Sequence, residues 1–404
     1  MVPDMSITRT PADTALAAEV DRLEPDLREL RRDLHAHPEL AWTESRTTEL
    51  VAERLVAEGI KVQRLSRSGL IAELGSEGPV VALRADLDAL PVDDTTPDPW
   101  ASTVDGVAHA CGHDVHTTAL LGAGLALQQV LESHEVPGRV RLLFQPAEEV
   151  MPGGALEVIA AGGLAEVEHA FGLHCDPSLD VGQVGLRVGA ITGAADSVRV
   201  RLTGRGGHTS RPHLTQDLTY ALGTMITEIP AALSRRLDPR SGVSMVWGVV
   251  RAGAAQNVIP SYGEAAGTVR MLDPVAWAGA EELVTTLVHQ VVAPFGVTAE
   301  VDYTRGVPPV VNQPRSTALL ADAVELTLGE AGVVSTTQSL GGEDFGWYLE
   351  KVPGAMGRLG TRTPGGPTYD LHQGDLRIDE RSTAVGAKVL GHAALTALEW
   401  TTKR

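Results

Sequence analysis

The stretch PVVALRADLD, residues 79–88, decides how the rest of the chain is read. Its apolar residues run without a break from Val80 to Leu83, which fits a strand buried on both faces, inside a parallel sheet covered by helices. It closes on Asp86 and Asp88, two residues apart and therefore on one face of an extended chain. IAEL at 71–74, GRVRLLFQPAEE at 138–149 and HAFGLHC at 169–175 read as further strands. Helices are expected over 15–34, 44–58 and 115–131. The first carries Leu16, Val20, Leu23, Leu27, Leu30 and Leu34 at helical spacing, and Pro38 should stop it. Strands alternating with helices predict an α/β sandwich with a mostly parallel sheet.

The pattern changes in the middle of the chain. DSVRVRLT at 196–203 alternates strictly, as a half-exposed strand does. A helix is expected over about 215–235, interrupted by Pro230, then strands at 242–251 and 264–272, a helix at 275–293 and a strand at 297–303. This β-α-β-β-α-β order is ferredoxin-like and reads as a small domain inserted into the larger one. The expected division is 1–186 for the first part of the catalytic domain, 187–305 for the insert and 306–404 for the second part. The last part should hold a helix at 316–331, a strand at 355–359 and a helix at 380–398.

Composition narrows the function. The chain has 404 residues, 43% hydrophobic and 21% charged, with a net charge of −19. Such a charge argues against a nucleic-acid or membrane-surface binder, because phosphate would be repelled. The N-terminus lacks a charged start followed by an apolar core, and no apolar run reaches the roughly 18 residues of a membrane span, so a cytoplasmic protein is expected. Cys111 and Cys175 are the two cysteines. In a reducing compartment they read as ligands or small buried groups before they read as a disulfide.

The strongest local signal is HACGHDVHTTALLG at 109–122, where Cys111 and His113 stand just ahead of an apolar helix, with Asp114 and His116 beside them. A thiolate and an imidazole suit zinc, cobalt, nickel or manganese. On spacing alone a buried cysteine beside a helix cap is the commoner case, and two ligands do not make a site. Others stand at strand and loop ends: Glu148 and Glu149 in FQPAEEV, His174 in FGLHCDP and His372 in YDLHQGDLRIDE. Such ends are where α/β enzymes keep their ligands and catalysts. Cys111, His113, Glu149, His174 and His372 make five ligands, enough for two metals if one ligand bridges.

These blocks, in order, resemble the metal-dependent amidohydrolases that include hippurate hydrolases, N-acyl-amino-acid amidohydrolases and indole-acetyl-amino-acid hydrolases, relatives of aminoacylases and dinuclear carboxypeptidases. The likeness runs from about residue 27 to 398. It is carried by LRRDLHAHPEL (30–40), LRADLDALPV (83–92), HACGHDVHTTALLGAG (109–124), LLFQPAEE (142–149), FGLHC (171–175), GRGGHTSRPH (204–213), NVIP (257–260), GTVR (267–270), GGEDFGWYLEKVPGA (341–355) and LHQGDLRIDE (371–380). The resemblance implies a dinuclear exopeptidase-like fold whose inserted domain acts as lid and dimer contact. It implies two divalent ions (zinc, manganese, cobalt or nickel), with Cys111 bridging, His113 and His174 completing one site, and Glu149 and His372 the other. It makes Glu148 the general base, Asp88 the carboxylate that orients a ligand histidine, and His208 a donor to the scissile carbonyl oxygen. Asn257, Arg270 and Asp344 would line the substrate pocket with His208. Asp88 also fits a blander reading, as a carboxylate satisfying a nearby turn.

His35 and His37 read as structural groups closing a helix beside Pro38. Where relatives often carry a small residue, a proline and an aromatic after the last histidine, this chain has Gln373, Gly374 and Asp375, which bears on the pocket wall. The expected activity is metal-dependent hydrolysis of the amide bond of a small-molecule N-acyl amino acid or a similar small amide by a homodimer or higher homo-oligomer. The alternatives are a dipeptidase or carboxypeptidase with the same centre, and a non-catalytic metal-binding homologue.

Overall fold

The computed structural model describes residues 9–403; the reading of residues 1–8 as lacking a leader lies outside them. The chain forms two compact units. The first runs to Gly189 and resumes over Val311–Thr337 and from Asp344 onward; the second comprises Ala190–Val310 and Gln338–Glu343. No periodicity marks Gln338–Glu343 for the second unit. Backbone pairing puts it there: Ser339 donates to the Ile191 carbonyl at 3.0 Å and Gly193 to that of Gly341 at 3.2 Å.

The first unit holds an 8-stranded sheet. Its strands lie in the order Lys61–Arg64, Leu70–Gly75, Arg139–Gln145, Val80–Asp86, Val167–Asp180, Gly354–Arg362, Val184–Leu186 and Val333–Ser335. The central run from Arg139–Gln145 to Gly354–Arg362 is parallel, while Leu70–Gly75 is antiparallel to both of its neighbours. Every residue of Val80–Asp86 is buried, as its apolar run requires. Helices Pro11–Ala36, His113–Ser133 and Arg381–Thr402 pack on one another and close the core around Leu16, Leu27, Leu83, Phe144 and Phe171. No helix among the described residues is long and apolar enough to cross a membrane.

The second unit is a 4-stranded antiparallel sheet in the order Ser244–Ala252, Tyr262–Met271, Ala194–Thr203, Thr298–Val307, the ferredoxin-like arrangement. Two expectations fail in detail. The helix Leu218–Arg236 is unbroken at Pro230. Proline cannot donate to the carbonyl four residues back, yet the buried stripe Leu218, Leu222, Met225, Ile229 and Leu233 holds the axis. The helix expected over 275–293 is two, Pro274–Ala278 and Ala280–Val292, parted at Gly279.

Candidate metal centre

Local backbone geometry delivers each donor. Gly112 adopts φ +85°, and a Cβ there would lie 2.8 Å from the Cys175 sulfur, so only glycine turns the chain from Cys111 into the helix that opens at His113. His174 stands inside the buried strand Val167–Asp180. His372 sits in the left-handed region at φ +63°, held by its N–H to the Ala110 carbonyl at 2.7 Å. That conformation is uncommon for a residue with a Cβ. It turns the half-exposed imidazole so that Nε2 lies 3.4 Å from Glu149 Oε1.

The five expected ligands, scattered over more than 260 residues of sequence, come together. Cys111, His113 and His174 offer donor atoms that all lie within 4.8 Å of one another, and so do Cys111, Glu149 and His372. The two groups share Cys111. Its sulfur lies 3.6 Å from His174 Nε2, and His113 Nε2 lies 3.8 Å from Glu149 Oε1.

Hydrogen bonds decide which imidazole nitrogens are available. His174 donates from Nδ1 to the Cys175 carbonyl at 2.8 Å, which leaves the Nε2 lone pair facing Cys111. His116 is used up: Nδ1 donates to Asp86 at 2.6 Å and Nε2 accepts the Cys175 N–H at 2.8 Å. His116 therefore holds Asp86 and the strand beside it, although Asp86, His113 and His116 are close enough to count as a third candidate group. Behind His113, Asp88 Oδ1 lies 3.4 Å from Nδ1, within ion-pair range but without a hydrogen bond.

The electrostatics favour a bound cation. His113 Nε2 and Glu149 Oε1 are buried with no hydrogen-bond partner, a costly arrangement unless an ion takes them. Burial pushes the Cys111 thiol well up, so a thiolate there needs positive charge beside it. Burial also raises Glu149 and holds His174 well below the usual histidine range, in the neutral form a metal binds. At His113 burial works downward but is outweighed by Asp86 and Cys111, and its pKa stands well above normal. The mixed sulfur, nitrogen and oxygen donor set fits divalent transition metals.

Asp88 does a second task. Its two carboxylate oxygens accept the backbone N–H groups of Glu148 (3.0 Å) and Glu149 (2.9 Å), fixing both glutamates at the strand end. Asp344 was expected at the pocket wall. It is fully buried and accepts from Arg84 (2.7 Å), from the Gln145 amide at both oxygens and from Ala155 N–H (3.0 Å). Its carboxylate shares Arg84, buried within the Val80–Asp86 strand, with Asp86, and offers an oxygen within 4.8 Å of donor atoms of Glu148 and Glu343. Gly374 is explained by crowding, since a Cβ there would lie 1.9 Å from the Asp93 carbonyl.

Within the second unit His208 is exposed and pairs with Val258 across a two-stranded ladder. Its Nδ1 accepts from Ser210 N–H (3.1 Å) and Ser210 Oγ (2.9 Å), so Nε2 is left as an outward donor. Asn257 is exposed next to it, its carbonyl accepting Thr209 N–H at 3.2 Å. Arg270 donates to the Leu340 carbonyl at 2.5 Å. Sequence reasoning missed Arg84, Gln145 and Glu44. A charged residue inside an apolar strand, as Arg84 is, was the available signal, because burial obliges it to find partners.

Residues 82–396 match peptidase family M20/M25/M40. The chain is 36% identical over 380 residues to the N-acetyl-L-cysteine deacetylase of Bacillus subtilis, covering 93% of this chain and 89% of that one. It is 50% identical over 378 residues to a Rhodococcus jostii protein named as glutamate–cysteine ligase 2-3; the match covers 93% of this chain but only 47%, about half, of that longer relative. Among solved structures, the Bacillus subtilis YXEP protein, described as a dinuclear metal binding peptidase of the M20 family, superposes with a TM-score of 0.81 at 33% identity, over 94% of this chain and 99% of that one.

Proposed function

From the premise that this chain belongs to peptidase family M20/M25/M40, we propose that it hydrolyses the amide bond of N-acyl amino acids at a dinuclear centre with Glu148 as general base. The observation that carries the reading is the pair of donor groups sharing Cys111. Cys111 would bridge, with His113 and His174 on one side and Glu149 and His372 on the other. Divalent ions held by these residues would make a bound water more acidic and would polarise the scissile carbonyl.

The chain's own groups do the rest. Glu148 takes the proton from the attacking water and returns it to the leaving nitrogen. Asp88 holds the backbone of both glutamates in place and, 3.4 Å from His113 Nδ1, would orient that imidazole. His208, through its outward Nε2–H, and Asn257 would meet the oxygen on which charge develops, with Arg270 at the pocket wall. The inserted unit would act as lid and as the contact of a homodimer or larger homo-oligomer.

The test is hydrolysis by protein loaded with manganese, cobalt or zinc. N-acetyl-L-cysteine comes first in the panel because a relative is named for it; other N-acyl amino acids and dipeptides follow. Faster turnover of the acyl amino acids supports the reading, and preference for dipeptides replaces it with a dipeptidase. Glu148→Gln should keep its metal and lose about 10²–10⁴-fold in kcat. Near-normal turnover would remove Glu148 as the base.

A further inference from the structure

Three consecutive backbone N–H groups at the end of the strand Arg139–Gln145 have no backbone acceptor; they point at two buried carboxylates. Ala147 donates to Glu44 Oε1 at 2.7 Å, Glu148 to Asp88 Oδ1 at 3.0 Å and Glu149 to Asp88 Oδ2 at 2.9 Å. Pro146, just before them, has no N–H to give. Ala147 itself sits at φ +54°, where a residue with a Cβ is strained and must be held by its surroundings. A run of amides around a left-handed residue forms a concave, positively polarised nest that binds anions. Here the anions are built in.

Glu44 supplies the half of this clamp that lies 103 residues from Ala147. It is 0% exposed and stands at the N-cap of the helix Ser45–Ala57. A capping side chain normally accepts from the first turn of its own helix. The Glu44 carboxylate makes no such bond. It turns away, with Oε1 on Ala147 N–H and Oε2 accepting the Ser68 hydroxyl at 2.5 Å. The Ser68–Gly69 turn is braced in its turn. Gly69 donates to Thr48 Oγ1 at 2.7 Å, and at φ +83° it presses so close that a Cβ would lie 2.6 Å from the Phe144 carbonyl. Helix start, turn and strand end thus meet on one carboxylate, and both donors facing it demand an acceptor.

We propose that Glu44 is a positioning residue for the reaction: with Asp88 it locks the 147–149 backbone and so aims the carboxylate of Glu148. This rests on the reading of Glu148 as general base. Loss of the Glu44 acceptor leaves Ala147 N–H buried without a partner and frees its strained φ to relax, which swings the next side chain.

The test compares Glu44→Ala and Glu44→Gln in metal-loaded protein by steady-state kinetics and by hydrogen exchange of the peptide covering residues 144–150. Glu44→Ala should lower kcat about 10–100-fold, the range for losing an outer partner of a catalytic group, with KM and metal content unchanged. Exchange of the 147–149 amides should rise. Glu44→Gln keeps one acceptor for Ala147 and should recover most of the kcat. In a Glu148→Gln background, Glu44→Ala should cost nothing further, because groups acting as a unit are non-additive. An undiminished kcat, an equal drop in both backgrounds, or unchanged exchange would overturn the proposal. If Glu44→Ala does not fold, Ser68→Ala releases the carboxylate instead; raised exchange and a few-fold lower kcat are then expected, and no change overturns the idea. Wild-type turnover by Glu148→Gln would discard the base while leaving the exchange result to stand or fall by itself.

Discussion

The two units carry their polar chemistry in opposite ways. In the first, Cys111, His113, Asp88 and Glu148 are buried at the ends of apolar elements, and Asp88 holds the Glu148 backbone. In the second, His208 and Asn257 are exposed on a short ladder whose neighbours fix only one ring nitrogen of the histidine. The difference teaches which groups depend on the fold. A buried donor set is preorganised by burial itself, whereas an exposed histidine has its direction set but waits for a ligand to give it a task.

The most severe way to break this contrast is Cys111→Ala. One sulfur shared by two donor groups should take both with it, so metal content by elemental analysis should fall by at least half, and turnover should drop by about three orders of magnitude or more, as for loss of a catalytic metal. Unchanged stoichiometry would show that the thiol does not bridge. His208→Ala is the counterpart in the exposed unit. It should leave metal content and melting temperature untouched and lower kcat by up to about 10²–10³-fold, the effect of one oxyanion donor; kinetics at wild-type level would remove it from the reaction.

The smallest effect sharpens the buried side. His35 is held between Asp114 (2.9 Å) and Asp94 (3.3 Å), with Arg31 on the same Asp114 oxygen at 2.7 Å. Burial lowers its pKa, but Asp114 outweighs burial and the value stands above that of free histidine. A raised value means that the contribution to stability is complete below the unfolded pKa of about 6.5 and is lost as pH climbs through the folded value. The melting-temperature gap between wild type and His35→Gln should therefore be widest near pH 6 and narrow toward about pH 9. A gap that widens with pH would reverse the assignment.

Much of the scaffold was legible in the residues. The unbroken apolar run at Val80–Leu83 required burial on both faces, and strict alternation at 196–203 required a sheet with one covered face. Pro230 misled because local backbone cost is weighed against a buried stripe that becomes visible only when the helix is packed. The partner of Asp344 was hidden in the same way: Arg84, 260 residues away, donates to its carboxylate.

By itself the sequence determined where most strands and helices run, and which side chains have metal-binding chemistry, because periodicity and donor type are local properties. Only the tertiary structure decided that His116 is spent on Asp86 and Cys175 while His174 keeps Nε2 toward Cys111, and that Glu44 reaches Ala147. Those outcomes depend on distances of a few ångströms between residues remote in the chain, and on burial, which makes every unpaired polar atom costly. Neither quantity is written in the order of the residues.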